Sequence, residues 1–211
     1  MTALKQLKMG LAVCCLIVAA GCAEKGDSVP AANEPTVAVS GIAVLPVRTA
    51  FELEDGLSLA EEKMLRDGSQ VMDGLMKQVL AGKSGVRFVS AAQIGTKGGA
   101  VKNLEAARRI AAQQGCTAVL ETTLSRYTER VGGDYGVKQP AAVTFAYKLY
   151  EVGEGRVLCH GRFDEQQQSV MENLLTLPKA KSRGFIYLTA EELARDGLQE
   201  KLGQCSYLGG Q

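Results

Sequence analysis

The chain has 211 residues, with 24 basic against 23 acidic and 46% hydrophobic. A near-neutral balance excludes the electrostatic footprint of a nucleic-acid binder, and this apolar content excludes a disordered chain. The absence of Trp and the low aromatic content argue against sugar-stacking clefts and aromatic cages.

Lys5 and Lys8 precede a short apolar run, LAVCCLIVAAGC, over Leu11 to Cys22. A positive start, an apolar stretch of about 7–15 residues and small residues at its end make a secretory signal. A spanning helix needs about 20 apolar residues, and here Glu24, Lys25 and Asp27 follow at once. Val18-Ala19-Ala20-Gly21-Cys22 resembles the bacterial lipobox, cut before the cysteine, with Ala19 where a larger aliphatic residue is commoner. Residues 1–21 are thus expected to be the signal peptide and Cys22 the lipidated residue. Ala23, rather than Asp, follows Cys22, which resembles an outer-membrane address. Several acyl chains, each contributing about 0.8 kcal/mol per buried CH₂, would make attachment essentially permanent. Loss of the signal removes two lysines and no acid, leaving 22 basic and 23 acidic residues, a net charge of −1.

Residues 22–40 carry small residues, Pro30 and Pro35 without periodicity, and read as a lipidated tether. Such a linker spans about 25 Å on average and about 60 Å when stretched. Residues 41–211 read as a single globular domain. GIAVLPV, Gly41 to Val47, is a buried central strand ended by Pro46. Ser58 and Glu61 make a capping box for a long helix to about Leu80, with Leu65, Met72, Leu75, Met76 and Val79 on its apolar stripe. Val86 to Val89 is a second strand, Ser90 to Gln93 starts a brief helical turn, and Thr96 to Ala100 is a loop. Leu104 to Gln114 is a second helix. This βαβαβ order predicts parallel pairing.

Three long β patterns follow: Cys116 to Glu129, Ala142 to Val152 and Arg156 to Gln167. Val143, Phe145, Tyr147 and Leu149 alternate on one face, and Glu151 to Gly155 (EVGEG) is a hairpin turn that makes the last two strands antiparallel. Glu129 to Ala141, rich in glycine, reads as a mobile loop. Ser169 and Glu172 cap a short helix before a basic stretch, Lys179 to Arg183. Thr189 and Glu192 cap a final helix to about Gly203. The predicted class is α/β with α+β character in its second half: a mixed sheet of about five strands, βαβαβ then an antiparallel hairpin, packed with two to three long helices.

The lipobox, the GIAVLP strand, the long helix, QGCTAVLETTLSRY and the hairpin KLYEVGEGRVL together are similar to envelope proteins related to the amino-terminal domain of the Tol translocation protein. That group includes the penicillin-binding-protein activator lipoprotein and the curli-secretion lipoprotein. More narrowly, SRYTERVGG, PAAVTFAYKLYEVGEGRVL, GRFDEQQQSVMENLL and LTAEELARDGL resemble an uncharacterised lipoprotein family of delta-proteobacterial genomes. The broad resemblance covers about residues 41–168 and rests on the order of elements; the narrow one covers most of the mature chain and implies no known activity. Tryptophan is common at the position of Cys159 in that family, which implies a packing role there. A curli-type pore would need membrane-spanning hairpins that the sequence lacks.

Cys14 and Cys15 leave with the signal and Cys22 carries lipid, so Cys116, Cys159 and Cys205 remain and at most one pair can close within the chain. Cys116 and Cys159, in apolar strand patterns, read as buried thiols. A c-type haem needs a cysteine three positions before Cys159-His160, where Arg156 stands, and no metal-ligand spacing appears. No cofactor is expected. Gly95-Thr96-Lys97-Gly98-Gly99 has the wrong order for a phosphate loop. His160 and Asp164 lie about 13 Å apart along one strand, so with Ser169 they form no triad. Adjacent Asp164 and Glu165 point to opposite faces.

The segment from Phe163 to Asn173, beside Arg126, Tyr127 and Arg130, offers hydrogen-bonding groups at strand ends. Arg126, Tyr127, Arg130, Phe163, Asp164, Glu165, Gln167, Glu172 and Asn173 are therefore the candidate partner surface. The expected protein is a non-catalytic lipoprotein on the periplasmic face of the outer membrane that binds another envelope protein. The alternatives are a cell-wall hydrolase using Glu121, Asp164 and Glu165, a structural envelope lipoprotein without a specific ligand, and a redox-sensitive protein using Cys116, Cys159 and Cys205.

Overall fold

The computed structural model describes residues 37–50, 58–94, 104–167 and 186–209. The expected signal peptide, Cys22, most of the tether, the loop at Thr96–Ala100, the capping box at Ser169–Glu172 and the basic stretch Lys179–Arg183 lie outside them.

Chain order is β1 (Ile42–Val44), β2 (Arg48–Thr49), α1 (Leu59–Val79), β3 (Val86–Phe88), α2 (Ala91–Ile94), α3 (Leu104–Gln113), β4 (Ala118–Thr128), β5 (Val131–Gly132), β6 (Val137–Gln139), β7 (Ala142–Glu151), β8 (Val157–Gln166), α4 (Ala190–Gly203) and α5 (Ser206–Gly209). Local chemistry sets the helix starts. Ser58 and Thr189 each accept a hydrogen bond from the backbone N–H three residues on, while Glu61 and Glu192 reach back to the cap.

The main sheet runs β3-β1-β4-β7-β8, with β2 also pairing to β4. β1 is parallel to β3 and β4, whereas β4, β7 and β8 pair antiparallel. This is the mixed sheet and terminal hairpin read from the sequence. The long Glu129–Ala141 connection differs from its expectation, because β5 and β6 form a small antiparallel hairpin within it.

One face of the sheet carries the larger core. Leu65, Met72, Leu75 and Met76 of α1 and Leu193, Ala194, Leu198 and Leu202 of α4 pack on Leu120, Leu124, Phe145, Leu149 and Phe163. Both helices lie very close to it. A Cβ built on Gly68 would stand 2.4 Å from the Tyr127 ring, and one on Gly197 would stand 2.7 Å from the Phe163 ring. On the other face, α3 sets Ala107, Ile110 and Ala111 against Ala43, Leu45, Val119, Tyr150 and Val152. Among the described residues, that cover reaches only the end of the sheet near β1.

Cys159 on β8 is disulfide-bonded to Cys205, between α4 and α5, with Cα atoms 5.9 Å apart. This corrects the reading of Cys159 as a buried thiol with a packing role, since it ties the edge strand to the carboxyl-terminal helices. Cys116 is the buried free thiol among the described residues. No helix among the described residues is long and apolar enough to cross a membrane.

Candidate functional site

Register turns the outer part of the uncovered face into rows. Glu121, Lys148 and His160 stand side by side on β4, β7 and β8; the next row is Thr123, Ala146 and Arg162, and the next Arg126, Thr144 and Asp164. Side chains alternate along a strand, so these residues share the side away from α1 and α4. A bulge at Ser125 shifts the β4 register and keeps Arg126 on this face.

The third row is a closed network. The Asp164 carboxylate accepts from Arg126 Nη2 at 2.7 Å, Thr144 Oγ1 at 2.9 Å and Arg162 Nη2 at 3.1 Å. Arg126 Nε also donates to Thr144 Oγ1 at 3.1 Å. The Thr144 and Arg162 hydrogen bonds, with the nearby Arg126 charge, hold the Asp164 carboxyl below its ordinary range. In the first row, Tyr150 donates to Glu121 Oε1 at 3.1 Å, and Arg48 lies 3.7 Å from the other oxygen. Burial, then the Glu121 charge, pushes the Tyr150 hydroxyl far up, so it remains a donor. Lys148 and His160 stay exposed.

The expected surface residues divide between two sides. Arg126 and Asp164 meet on the open face. Phe163 does not join them: it is buried, stacked on Phe145 with ring centroids 5.4 Å apart. Gln167 is buried as well, its backbone N–H bonded to Ala141. Both correct their expected place on the partner surface, because alternate positions on a strand face opposite ways and these two fall on the core side. Glu165 falls on the Phe163 side, in register with Val143. Tyr127 packs on Gly68 of α1, and its hydroxyl is pushed up to about 12 by burial, with Glu129 and Glu191 adding to the effect. Arg130 pairs with Asp134 at 2.6 Å and donates to the Tyr187 carbonyl, a bracing role. Glu172 and Asn173 lie outside the described residues.

The carboxylates proposed for hydrolysis are not gathered. Glu121 and Asp164 are in register with Lys148 and Thr144, four positions apart on β7, or about 13 Å along the strand. Paired glycosidase carboxylates stand about 5–9.5 Å apart. Glu165 points to the other side. His160 is likewise separated from Asp164, whose oxygens are occupied by arginine and threonine. Among the described residues no group of three or more His, Cys, Asp or Glu side chains could hold a metal ion.

A concavity of about 220 Å³ opens at the carboxyl ends of β1 and β3, between Val44, Pro46, Phe88, Asp73, Met76 and Lys77. The connections leaving these two parallel strands pass to opposite faces of the sheet, the arrangement that opens a crevice in α/β folds. Asp73 accepts from the Val47 N–H at 2.8 Å. Burial raises its pKa, against the pull of that hydrogen bond and of Lys77. The neighbouring Ser90 hydroxyl is committed to Gln93 at 3.0 Å, which leaves no nucleophile–base pair there among the described residues.

Sequence reasoning found Arg126 and Asp164 but missed Thr144, Lys148 and Arg162. The EVGEG turn carried the signal: pairing β7 with β8 across it puts Lys148 beside His160 and Thr144 beside Asp164.

No protein-family model and no curated protein matches the chain. Among solved structures it is similar to the PelC dodecamer from Paraburkholderia phytofirmans, at 14% identity over 82% of this chain and 89% of that one, with a TM-score of 0.46. It is similar to lipoprotein GNA1162 from Neisseria meningitidis, at 17% identity over 69% and 99%, with a TM-score of 0.40. The LpoB carboxyl-terminal domain from Salmonella enterica follows at 17% identity over 63% and 87%, with a TM-score of 0.35. At these values the likeness carries no argument about what the chain does.

Proposed function

We propose that the chain is a non-catalytic lipoprotein, held at the outer membrane by lipid on Cys22, whose domain binds another cell-envelope protein in the periplasm. The Val18–Cys22 motif supports the address. The Cys159–Cys205 disulfide supports an oxidising compartment. The observation that carries the binding reading is the open face of β4, β7 and β8. Two helices cover the opposite face, whereas here the side chains of Arg126, Lys148, His160, Arg162 and Asp164 stand exposed in ordered rows, with α3, among the described residues, packed only nearer β1.

This is a surface for recognition by charge and hydrogen bonding. Two arginines share the one Asp164 carboxylate, and Lys148, two rows away beside Glu121 and His160, has no ion pair among the described residues, so the face favours an acidic partner patch. Photo-crosslinking residues placed singly at Lys148 and His160 of the full-length lipidated protein test this in cells. Both positions should yield an adduct with the same protein, and Lys63, on the outer side of α1, should yield none. Repeated failure at both open-face positions contradicts the reading.

A further inference from the structure

We propose that the β5–β6 hairpin is the docking anchor of this domain, its Tyr135 ring entering an apolar pocket with an acidic rim on the partner protein. The inference rests on the partner-binding reading above and names the contact.

Tyr135 is 86% exposed and Val131 51% exposed, so this one hairpin carries two of the exposed large hydrophobic side chains among the described residues. An aromatic ring in this setting offers a large contact area at low entropic cost, and Tyr is among the residues that dominate interface energetics. The hairpin beneath it is firmly braced. Gly133 donates to Gly136 at 2.9 Å, Arg130 pairs with Asp134, and the Tyr187 N–H donates to the Asp134 carbonyl at 2.8 Å. Glu129 accepts from the Ala190 N–H at 3.1 Å, which fixes the hairpin base to the start of α4. Gly132 has φ 134°, and a Cβ there would stand 2.5 Å from the Gly136 carbonyl, so the tight crossing requires glycine. A pre-formed tip loses little freedom on binding.

Charge and position narrow the occupant. Asp134 is neutralised by Arg130, whereas Lys138 is exposed with no ion pair among the described residues, so the hairpin presents one uncompensated positive charge. The chain enters the domain at the other end of the sheet, where the Ser40 N–H donates to Thr117 Oγ1 at 3.0 Å. The eleven residues of β4 separate that end from the hairpin, about 35 Å at ~3.3 Å per residue. The anchored tether thus joins the end of the sheet remote from Tyr135, which favours a protein over the anchoring membrane as the occupant.

The test places a photo-crosslinking residue at position 135 of the full-length lipidated protein in its own cells, with position 148 as the marker of the broader reading. The expected result is a protein adduct from 135 whose yield falls at least fivefold when Lys138→Glu is added. The protein identified in that adduct, once purified, should bind the Tyr135→Ser domain at least tenfold more weakly than wild type and the Tyr135→Phe domain within about twofold. An adduct from 148 with none from 135 overturns the hairpin assignment and leaves the partner reading standing. Adducts from 135 to lipid alone, or unchanged binding by Tyr135→Ser, also overturn it. No protein adduct from either position overturns both.

Discussion

Thr144, Arg126 and Arg162 hold the Asp164 carboxyl below its ordinary range, whereas burial behind the Val47 N–H raises that of Asp73. The two residues therefore tie stability to pH with opposite sign. A depressed Asp164 stabilises the fold at neutral pH and loses that contribution as pH falls through its folded value. The effect is small because the side chain is about half exposed. Asp73 binds its proton more tightly folded than unfolded, so its contribution to stability grows as pH falls from neutral toward the usual carboxylate range. In Asp73→Asn the amide oxygen still accepts from Val47 without a buried charge. Thermal melts between pH 7.5 and 4.5 should show the variant at least as stable as wild type at neutral pH, with its advantage shrinking as pH falls. The same scale explains the mixed outcome for the sequence-derived surface. Arg126 and Asp164 were legible as strand-end polar groups, but the strip from Phe163 to Gln167 alternates between core and solvent. Choosing the outward set requires the register across β7 and the bulge at Ser125, and both depend on residues distant in sequence.

Most elements were legible where their chemistry is local. Both capping boxes, the EVGEG turn and the alternation of β7 lie within a few residues of what they specify. β2, β5 and β6 are two or three residues long, too short for periodicity to register. The packing glycines were equally hidden, since Gly68 and Gly197 look like weak helix formers until the helices are laid against Tyr127 and Phe163. Gly68→Ala and Gly197→Ala force those rings to move, and overpacking should exceed the gain in helix propensity, for a net loss of about 1–2 kcal/mol each. Gly74→Ala on the same α1 helix meets nothing within 4 Å and should instead stabilise by about 0.5–1 kcal/mol. Chemical denaturation of the three variants checks both signs.

Across the whole molecule, the disulfide joins the outer strand of the sheet to the carboxyl-terminal helices over 46 positions. Sequence alone could not choose among three cysteines, because pairing follows from the fold that brings Cys159 and Cys205 together. A loop of that length corresponds to about 4 kcal/mol of chain entropy, so Cys159→Ser with Cys205→Ser should lose about 2–4 kcal/mol. The reading of the molecule as an exported, lipid-anchored binding domain is tested most directly by the intact mass of the protein extracted from its native membranes. The expected species is a chain that begins at Cys22, carries acyl mass, and is two hydrogens lighter than the fully reduced form, with Cys116 as its one titratable thiol in denaturant. A chain that retains residues 1–21 with no acyl mass and three free thiols beyond Cys22 would contradict it.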